Sequence, residues 1–342
     1  MAEQSKAFFK MNMIRQCIVG MLLSGMLMSC ADSPAPAASG ASGEQDAQAP
    51  SAPTDSPYLV VLGIGQDGGA PQTGSHLDAR WEQPEERHQA TSLGLVDPAT
   101  GRKWMFEATP DFKQQWYALD TLSGLRETNV PDGIFLTHAH IGHYTGLMLL
   151  GHESVGAQGV PVYAYPKMAA FLTANGPWSQ LVKYANIVLA PLESGTRVDL
   201  SQNVSVEPFL VPHRQEFSEV AGFIIRGPNL SVGFIPDIDS WEAWEAEGVS
   251  LESFLASVDI ALVDGTFFEN GELPGRDMSG FPHPFITHTM DRLASAPDSV
   301  RSKVHFIHLN HSNPALIKES SAQKRVARNG FNLAFPGQII AL

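Results

Sequence analysis

The stretch LTHAHIGHYTGL (residues 136–147) follows an apolar segment and places three histidines within six residues. His138 and His140 are two residues apart, so their side chains point the same way in an extended segment and can hold one metal ion. His143 follows where a helix is expected to begin, and from there its side chain can turn towards a second ion. Because imidazole is a ligand of zinc and also of iron, this stretch predicts a metal site.

Other metal-ligating side chains further along the chain also follow apolar segments. They are His213 in VPHRQEF, Asp237 in GFIPDID, and His308 and His311 in HFIHLNHSNP. Asp237 is a carboxylate that could bridge two metals, and Asp239 competes with it for that role. His305 and His308 are three apart on a predicted strand and face opposite sides, so we expect His305 to be structural.

Predicted strands and helices alternate from residue 58 onwards. The predicted strands are YLVVLG, TSLGLVD, KWMFEA, DGIFL, VPVYAY, NIVLAPL, VSVEPFLVP, VAGFIIRG, LSVGFIP, DIALVDG, KVHFIHL and GQIIAL. The predicted helices are TPDFKQQWYALDTL, YTGLMLLGHESVG, PKMAAFLTANG, PWSQLVKYA, SWEAWEAEG, THTMDRLAS and NPALIKES. Strand blocks interleaved with helices favour two sheets packed together and covered by helices, which is an α/β architecture.

The order of these residues, His-x-His-x-x-His, then His, Asp and His, each after an apolar strand, resembles the metallo-β-lactamase superfamily. The resemblance covers residues 58–342 and implies an αββα sandwich with metals in the mouth between its two sheets. It also implies two metal positions bridged by Asp237. Their other ligands would come from two sets: His138, His140 and His213, and His143 with His308 or His311.

One position departs from the superfamily's motif. That motif is His-x-His-x-Asp-His, and this chain has Gly142 where the Asp stands. In the superfamily this Asp is a ligand of the second metal and often helps to orient or deprotonate the attacking water. Three alternatives follow: a single zinc or iron at the three-histidine site, loss of activity, or a second metal completed by Asp67, Asp111 or Asp239. If a second site exists, Gly142→Asp is expected to raise its occupancy.

Four stretches resemble a narrower group within that superfamily. VLGIGQDGGAPQ, ATPDFKQQ, LVDGTFF and FIHLNHSNP are similar to segments of the PqqB proteins of pyrroloquinoline quinone biosynthesis. PqqB proteins lack the leading histidines and keep the Asp-His pair, so the resemblance implies a PqqB-like relative with different metal chemistry. Asp264 and His283 match PqqB-like positions, and such a late His can donate a proton or contact the substrate.

The function that we predict is that of a metal-dependent hydrolase. One or two Zn²⁺ ions would activate water against a small ester, lactone or phosphodiester-like substrate. Asp237 would orient this water, and His283 or His311 would protonate the leaving group. The alternatives are a mononuclear non-haem iron redox enzyme related to PqqB, and a non-catalytic metal-binding relative.

The charge balance argues against a nucleic-acid ligand. Asp and Glu outnumber Lys and Arg by 36 to 22 in a chain of 342 residues, which gives a formal net charge of −14. A field of this sign repels phosphate backbones. We therefore predict a small-molecule substrate, and the sequence indicates no protein partner.

The N-terminal residues 1–30 are predicted to be a signal peptide. Three basic residues precede the apolar run CIVGMLLSGMLM, which is too short to be a permanent membrane span. The run ends at LMSC, which resembles the lipobox of bacterial lipoproteins, with Cys30 as the acylated residue.

Residues 31–57 are rich in Ala, Pro, Ser and Gly and are predicted to be a flexible linker. Residues 58–342 would form the metallo-β-lactamase-like domain. These features predict a lipid-anchored protein of the cell envelope. In a Gram-negative organism it would lie on the outer membrane and face the periplasm.

Overall fold

The structure, a computed structural model, describes residues 55–125 and 128–342. The predicted signal peptide, Cys30 and residues 31–54 of the predicted linker lie outside the described residues. Within the described ranges, no helix combines the length and the apolar character that crossing a membrane requires.

The first sheet contains seven strands in the described part of the chain. They are β1 (Tyr58–Gly63), β2 (Ser92–Asp97), β3 (Arg102–Phe106), β4 (Gly133–Phe135), β5 (Val160–Ala164), β6 (Ile187–Pro191) and β14 (Ile339–Ala341). Their order across the sheet is β14-β1-β2-β3-β4-β5-β6. Pairing is antiparallel from β14 to β3 and parallel from β3 to β6.

The second sheet also contains seven strands among the residues described. They are β7 (Val198–Asp199), β8 (Ser205–Leu210), β9 (Ala221–Arg226), β10 (Ser231–Ile235), β11 (Ile260–Asp264), β12 (Val304–Ile307) and β13 (Asn332–Leu333). Their order is β13-β12-β11-β10-β9-β8-β7. Pairing is parallel from β13 to β10 and antiparallel from β10 to β7.

Helices cover the outer faces of both sheets. They are α1 (Phe112–Ser123), α2 (Ile141–Tyr144), α3 (Pro166–Ala174), α4 (Trp178–Lys183), α5 (Trp241–Ala246), α6 (Leu251–Ser257), α7 (Ile286–Arg292), α8 (Asp298–Arg301) and α9 (Ser321–Arg328). The buried side chains of α1, α3 and α4 form a core with one face of the first sheet. Those of α5, α6, α7 and α9 belong to the core that includes the second sheet. The predicted αββα sandwich is confirmed.

Aromatic rings join the two sheets in the middle of the molecule. Phe106 and Phe135 from the first sheet stack with ring centroids 5.0 Å apart. Phe223 from the second sheet contacts Phe106 edge to face at 5.5 Å, and Phe234 does so at 6.3 Å. All four residues are fully buried. Burial of these large apolar surfaces fixes the sheets against each other.

The strand directions bring seven loops to one end of the sandwich. In the first sheet β1, β3 and β4 run in the same direction, because β2 is antiparallel to β1 and β3, and β4 is parallel to β3. In the second sheet β8, β10, β11 and β12 run in one direction for the same reason. The carboxyl ends of these strands therefore lie on the same side of each sheet, where ligands of α/β folds commonly bind.

Two predicted helices differ from the structure. Residues 144–156 were expected to form a helix, but α2 begins earlier, at Ile141, and Thr145–Leu150 is a 3-10 helix. A Cβ on Gly146 would lie 2.2 Å from the carbonyl oxygen of Thr109, so this segment lies too close to its neighbour for larger residues. The segment NPALIKES contains only the 3-10 turn Pro314–Leu316, and the helix there is α9.

Candidate metal centre

The loops at this end of the sandwich carry the predicted metal ligands. In the first sheet, the chain after β4 carries His138 and His140, and α2 carries His143. In the second sheet, the loops after β8, β10 and β12 carry the remaining predicted ligands, which are His213, Asp237 and His308. The site is thus assembled across both sheets, one side chain or short motif from each strand end.

His138, His140 and His213 form one group of ligand atoms. Their atoms all lie within 4.8 Å of one another, and His138 Nε2 is 2.8 Å from His140 Nδ1. His138 and His213 are buried, and His140 is half-buried. This group is the three-histidine set that the sequence predicted for the first metal position.

Asp237 lies between this group and a second one. Its Oδ1 is 3.6 Å from His213 Nε2. Its Oδ2 is 3.1 Å from His143 Nε2 and 3.3 Å from His308 Nε2. The two carboxylate oxygens therefore face different groups of imidazoles, which is the placement needed to bridge two metals.

Asp67, from the loop after β1, completes the second group. Its Oδ1 is 3.3 Å from His143 Nε2, and its ligand atom lies within 4.8 Å of those of His143 and His308. The other carboxylates considered for this position contact different groups. Asp239 Oδ1 is 3.0 Å from His213 Nδ1, and Asp111 Oδ2 accepts a hydrogen bond from the backbone of Ala90 at 2.8 Å.

Five buried ligand atoms in this cluster have no hydrogen-bond partner among the described residues. They are Asp67 Oδ1, His143 Nε2, His213 Nε2, Asp237 Oδ2 and His308 Nε2. A buried polar atom without a partner costs about 1–3 kcal/mol, so gathering several of them in one place is unfavourable unless another group binds them. A divalent cation can do so, because imidazole nitrogens and carboxylate oxygens are its ligands. These residues therefore fit a metal centre.

Most of the histidines in the cluster are held through Nδ1, so that Nε2 is left for a metal. Two carboxylate oxygens lie near Nδ1 atoms without hydrogen-bond geometry: Glu107 Oε1 is 3.4 Å from His143, and Asp239 Oδ1 is 3.0 Å from His213. The hydrogen bonds to Nδ1 join Thr137 Oγ1 with His138 at 2.8 Å and with His143 at 3.5 Å, and Thr266 Oγ1 with His308 at 3.0 Å. Such partners fix the tautomer and the ring orientation of a metal-binding imidazole. His140 differs, because its Nδ1 faces His138 and its Nε2 lies 3.2 Å from Glu216 Oε2.

The protonation states of two central residues suit metal binding. Burial, together with the charge of His143, lowers the pKa of His138 well below its ordinary value. Burial alone would raise the pKa of Asp237, but the charges of His308 and His143 outweigh it and hold the pKa well below its ordinary value. A neutral imidazole and an ionised carboxylate are the forms that bind a metal.

Glu107 is a residue of the site that the sequence analysis missed. It is fully buried and lies one residue beyond β3, beside His143. Burial would lower the pKa of His143, but the carboxylates of Glu107 and Asp237 outweigh it and raise the pKa well above its ordinary value. The signal was available, since Glu107 ends an apolar strand in the same way as Asp237.

Of the two candidates for the leaving-group proton, His283 lies against the cluster. Its Nδ1 is 2.8 Å from Asp264 Oδ2 and 3.7 Å from Asp237 Oδ1. Burial would lower the pKa of His283, but the Asp264 carboxylate outweighs it and the pKa is raised. Asp264 also accepts a hydrogen bond from the backbone of Ile238 at 3.1 Å, so this pair is tied to the loop that carries Asp237.

The structure places His311 elsewhere. Within the described residues it belongs to none of the groups of metal-ligating atoms, and its carbonyl oxygen accepts a hydrogen bond from Arg80 at 2.7 Å. The charges that act on its ring are those of Arg80 and Asp78. Of the two late histidines, His308 is therefore the one whose ring nitrogen lies in the cluster beside His143 and Asp237.

The sequence pattern of the family described as "Beta-lactamase superfamily domain" matches residues 102–309, which is more than half of the chain. The chain belongs to the beta-lactamase superfamily. This superfamily member is 26% identical over 305 residues to "Coenzyme PQQ synthesis protein B" of Xanthomonas oryzae pv. oryzae, covering 83% of this chain and 99% of that protein. The predicted PqqB-like character is confirmed.

Solved structures share the fold of this superfamily member. The crystal structure of Zn²⁺-bound PqqB from Methylobacterium extorquens aligns with a TM-score of 0.67 at 20% identity, over 83% of this chain and 100% of that one. A diphosphatase from the PhnP family aligns with a TM-score of 0.58 at 20% identity, over 84% of this chain and 97% of that one. At this identity the alignments carry the fold alone.

Proposed function

We propose that this protein is a metal-dependent hydrolase that acts on a small ester, lactone or phosphodiester-like substrate. The observation that carries the proposal is the set of buried, unpartnered ligand atoms gathered around Asp237 at the mouth of the sandwich. Held by His138, His140 and His213, Zn²⁺ would supply a Lewis acid that lowers the pKa of water towards ~7 and polarises a carbonyl or phosphoryl oxygen.

The chain's own residues would position and transfer the protons of the reaction. Asp237 is buried and ionised, and it would accept a hydrogen bond from the attacking water and orient it. The Asp264 carboxylate holds His283 through Nδ1 at 2.8 Å, which leaves Nε2 as the atom that can donate a proton to the leaving group. A histidine with a raised pKa carries that proton near neutral pH.

The surroundings favour a substrate with an apolar part. Ile141, next to His140, is 66% exposed, and Phe217, next to Glu216, is 62% exposed. Glu216 itself lies 3.2 Å from His140 Nε2, so both apolar side chains belong to residues at the edge of the three-histidine group. Because the net charge of −14 repels anions, we place a neutral ester or lactone ahead of a phosphodiester.

Hydrolysis of model substrates by the full-length protein tests this proposal. After removal of metal with a chelator and reloading with Zn²⁺, we expect turnover of p-nitrophenyl acetate or dihydrocoumarin, with weaker activity on bis(p-nitrophenyl) phosphate. His138→Ala is expected to lower metal content and to reduce turnover by about 100-fold or more, since the metal-activated water is lost. His152→Ala, at an exposed position, is the matched control and is expected to behave as the wild type.

Metal analysis of protein purified without added zinc separates this proposal from its alternatives. Stoichiometric iron together with oxygen consumption would overturn the hydrolase in favour of a mononuclear non-haem iron redox enzyme. Bound zinc without turnover of any of the three substrate classes would favour a metal-binding relative without catalysis. Unchanged metal content in His138→Ala would contradict the assignment of the metal centre itself.

We also propose that the protein is anchored to the cell envelope through a lipid on Cys30. The support for this is the apolar run that ends at LMSC and the Ala/Pro/Ser-rich segment that follows it. Metabolic labelling with a palmitate analogue in a bacterial host is expected to mark the wild type and not Cys30→Ser.

A further inference from the structure

The loop after β1 occupies the space that the missing motif carboxylate would need. A Cβ on Gly142 would lie 2.2 Å from Asp67 Oδ1 and 2.4 Å from Asp67 Cα. Both distances are well below those of real contacts, and the second is to a backbone atom that a side-chain rotation cannot move. Residue 142 therefore has to be glycine while Asp67 stands where it does.

The carboxylate of Asp67 lies beside His143 and His308, the histidines of the second group. Its Oδ1 is buried without a hydrogen-bond partner among the described residues and lies 3.3 Å from His143 Nε2.

The loop that carries Asp67 is fastened to the loop that carries His308. The backbone N–H of Gln66 donates to the carbonyl oxygen of Leu309 at 2.8 Å. The side-chain amide of Asn310 donates to Gln66 Oε1. Because Leu309 follows His308 directly, these bonds hold Asp67 and His308 at a fixed separation.

We propose that Asp67 replaces the motif aspartate as a ligand of the second metal, so that this chain binds two ions despite Gly142. Asp67, His143 and His308 would hold the second ion, with Asp237 shared between the two positions. The carboxylate ligand would come from the glycine-rich loop after β1 instead of from the histidine motif. Gly142 has no side chain in the space that Asp67 occupies. This inference rests on the metal-dependent function proposed above.

Zinc binding by matched variants tests whether Asp67 takes the place of the motif aspartate, without relying on enzymatic activity. Full-length protein is stripped with a chelator and titrated with Zn²⁺, and bound zinc and the affinity of each equivalent are measured. We expect two equivalents for the wild type. Asp67→Gly and Asp67→Asn are expected to keep the first and to bind the second at least tenfold more weakly. Asp67 has a φ of 34°, which glycine adopts without strain.

Three further variants decide between this arrangement and a vacant second site. Asp111→Asn, which alters a carboxylate in the neighbourhood of the same loop, is the control and is expected to bind two equivalents. Gly142→Asp alone is expected to bind the second ion no more tightly than the wild type, because its Cβ displaces Asp67. The double variant Asp67→Gly/Gly142→Asp is expected to bind the second ion more tightly than Asp67→Gly, since consecutive glycines let the loop withdraw from the new side chain.

The opposite results would overturn the inference. These are a second equivalent of wild-type affinity in Asp67→Gly or Asp67→Asn, tighter binding in Gly142→Asp alone, or no gain in the double variant. Circular dichroism of each variant checks that the fold is kept, and Asp67→Asn covers the case in which the glycine variant does not fold. Two bound zinc ions that depend on Asp67, in a protein that hydrolyses nothing, would sustain this inference while contradicting the proposed hydrolase.

Discussion

Buried neighbouring side chains contact the imidazoles of the candidate metal centre and orient their rings, but do not themselves reach the metal positions. Glu107 is one of these neighbours: it is fully buried, and its Oε1 lies 3.4 Å from His143 Nδ1. Its Oε2 also accepts the backbone N–H of Thr137 at 3.4 Å, so one carboxylate is shared between His143 and the loop that carries His138. Burial raises the pKa of Glu107.

Removing the charge of Glu107 is therefore expected to weaken the second metal position. In Glu107→Gln the amide keeps the shape of the side chain, but His143 loses the carboxylate that increases its basicity. We expect the affinity for the second Zn²⁺ to fall by about tenfold or more, with the first equivalent nearly unchanged. Zinc titration of the stripped protein measures this, and Glu153→Gln, at an exposed position, is the control. Equal affinities in Glu107→Gln and the wild type would contradict the positioning role.

The structure changes the interpretation of Gly142. In the sequence it is a lost ligand, and its replacement by aspartate was expected to raise metal occupancy. In the structure the backbone of Asp67 lies where that side chain would go, which reverses the expected result for Gly142→Asp.

Strand β12 carries two histidines with different surroundings. His308 follows the strand at the metal centre, whereas His305 lies within it, paired in register with Leu262 of β11 and Asn332 of β13. Burial lowers the pKa of His305 to about 4, and its Nδ1 has no hydrogen-bond partner among the described residues. His305 was expected to be structural, and among the described residues it belongs to none of the groups of metal-ligating atoms.

His305 is expected to make the fold sensitive to acid. Its pKa of about 4 in the folded chain lies below the ordinary value near 6.5. Between these two values the unfolded chain binds more protons than the folded chain, so the free energy of unfolding decreases as the pH is lowered. The wild type should lose about 2 kcal/mol through this group between pH 7 and pH 5, and His305→Gln should not. Urea unfolding at both pH values gives the difference, with the exposed-site variant His76→Gln as control. Parallel losses in the wild type and His305→Gln would contradict the prediction.

At the scale of the whole molecule, the candidate metal centre draws its residues from both sheets of the sandwich. His138, His140 and His143 come from the first sheet, and the remaining histidine ligands come from loops of the second. An ion held by both sets binds only the folded chain, and it therefore stabilises the folded state by mass action.

Chelation is accordingly expected to lower the melting temperature. With free Zn²⁺ at about 1,000 times its Kd, the bound metal contributes about 4 kcal/mol, which corresponds to a change in Tm on the order of 8 °C for a domain of this size. Calorimetry of the zinc-loaded and stripped protein measures this. His138→Ala should show a smaller difference between the two states. An unchanged Tm after metal removal would mean that the ion does not hold the sheets together.

The amino-acid sequence determined the fold class and indicated most of the candidate ligands. Apolar runs bounded by turns identified most of the strands, and the order of His138, His140, His213 and Asp237 after those runs indicated the αββα sandwich. These features can be predicted because they are local. The hydrophobic periodicity of a segment indicates whether it forms a helix or a strand, and a polar residue that ends a buried strand marks a loop at the carboxyl end of that strand.

Which carboxylates and which late histidine lie beside His143 was decided only by the tertiary structure. Asp67 was one of three open carboxylates in the sequence, Glu107 was not recognised, and His311 was as good a candidate as His308. Their places depend on β1, β3 and β4 running in one direction and on two loops from different sheets being hydrogen-bonded to each other. Such contacts join residues far apart in the chain, so local periodicity carries no information about them, and the packing of the loops decides which carboxylate meets His143.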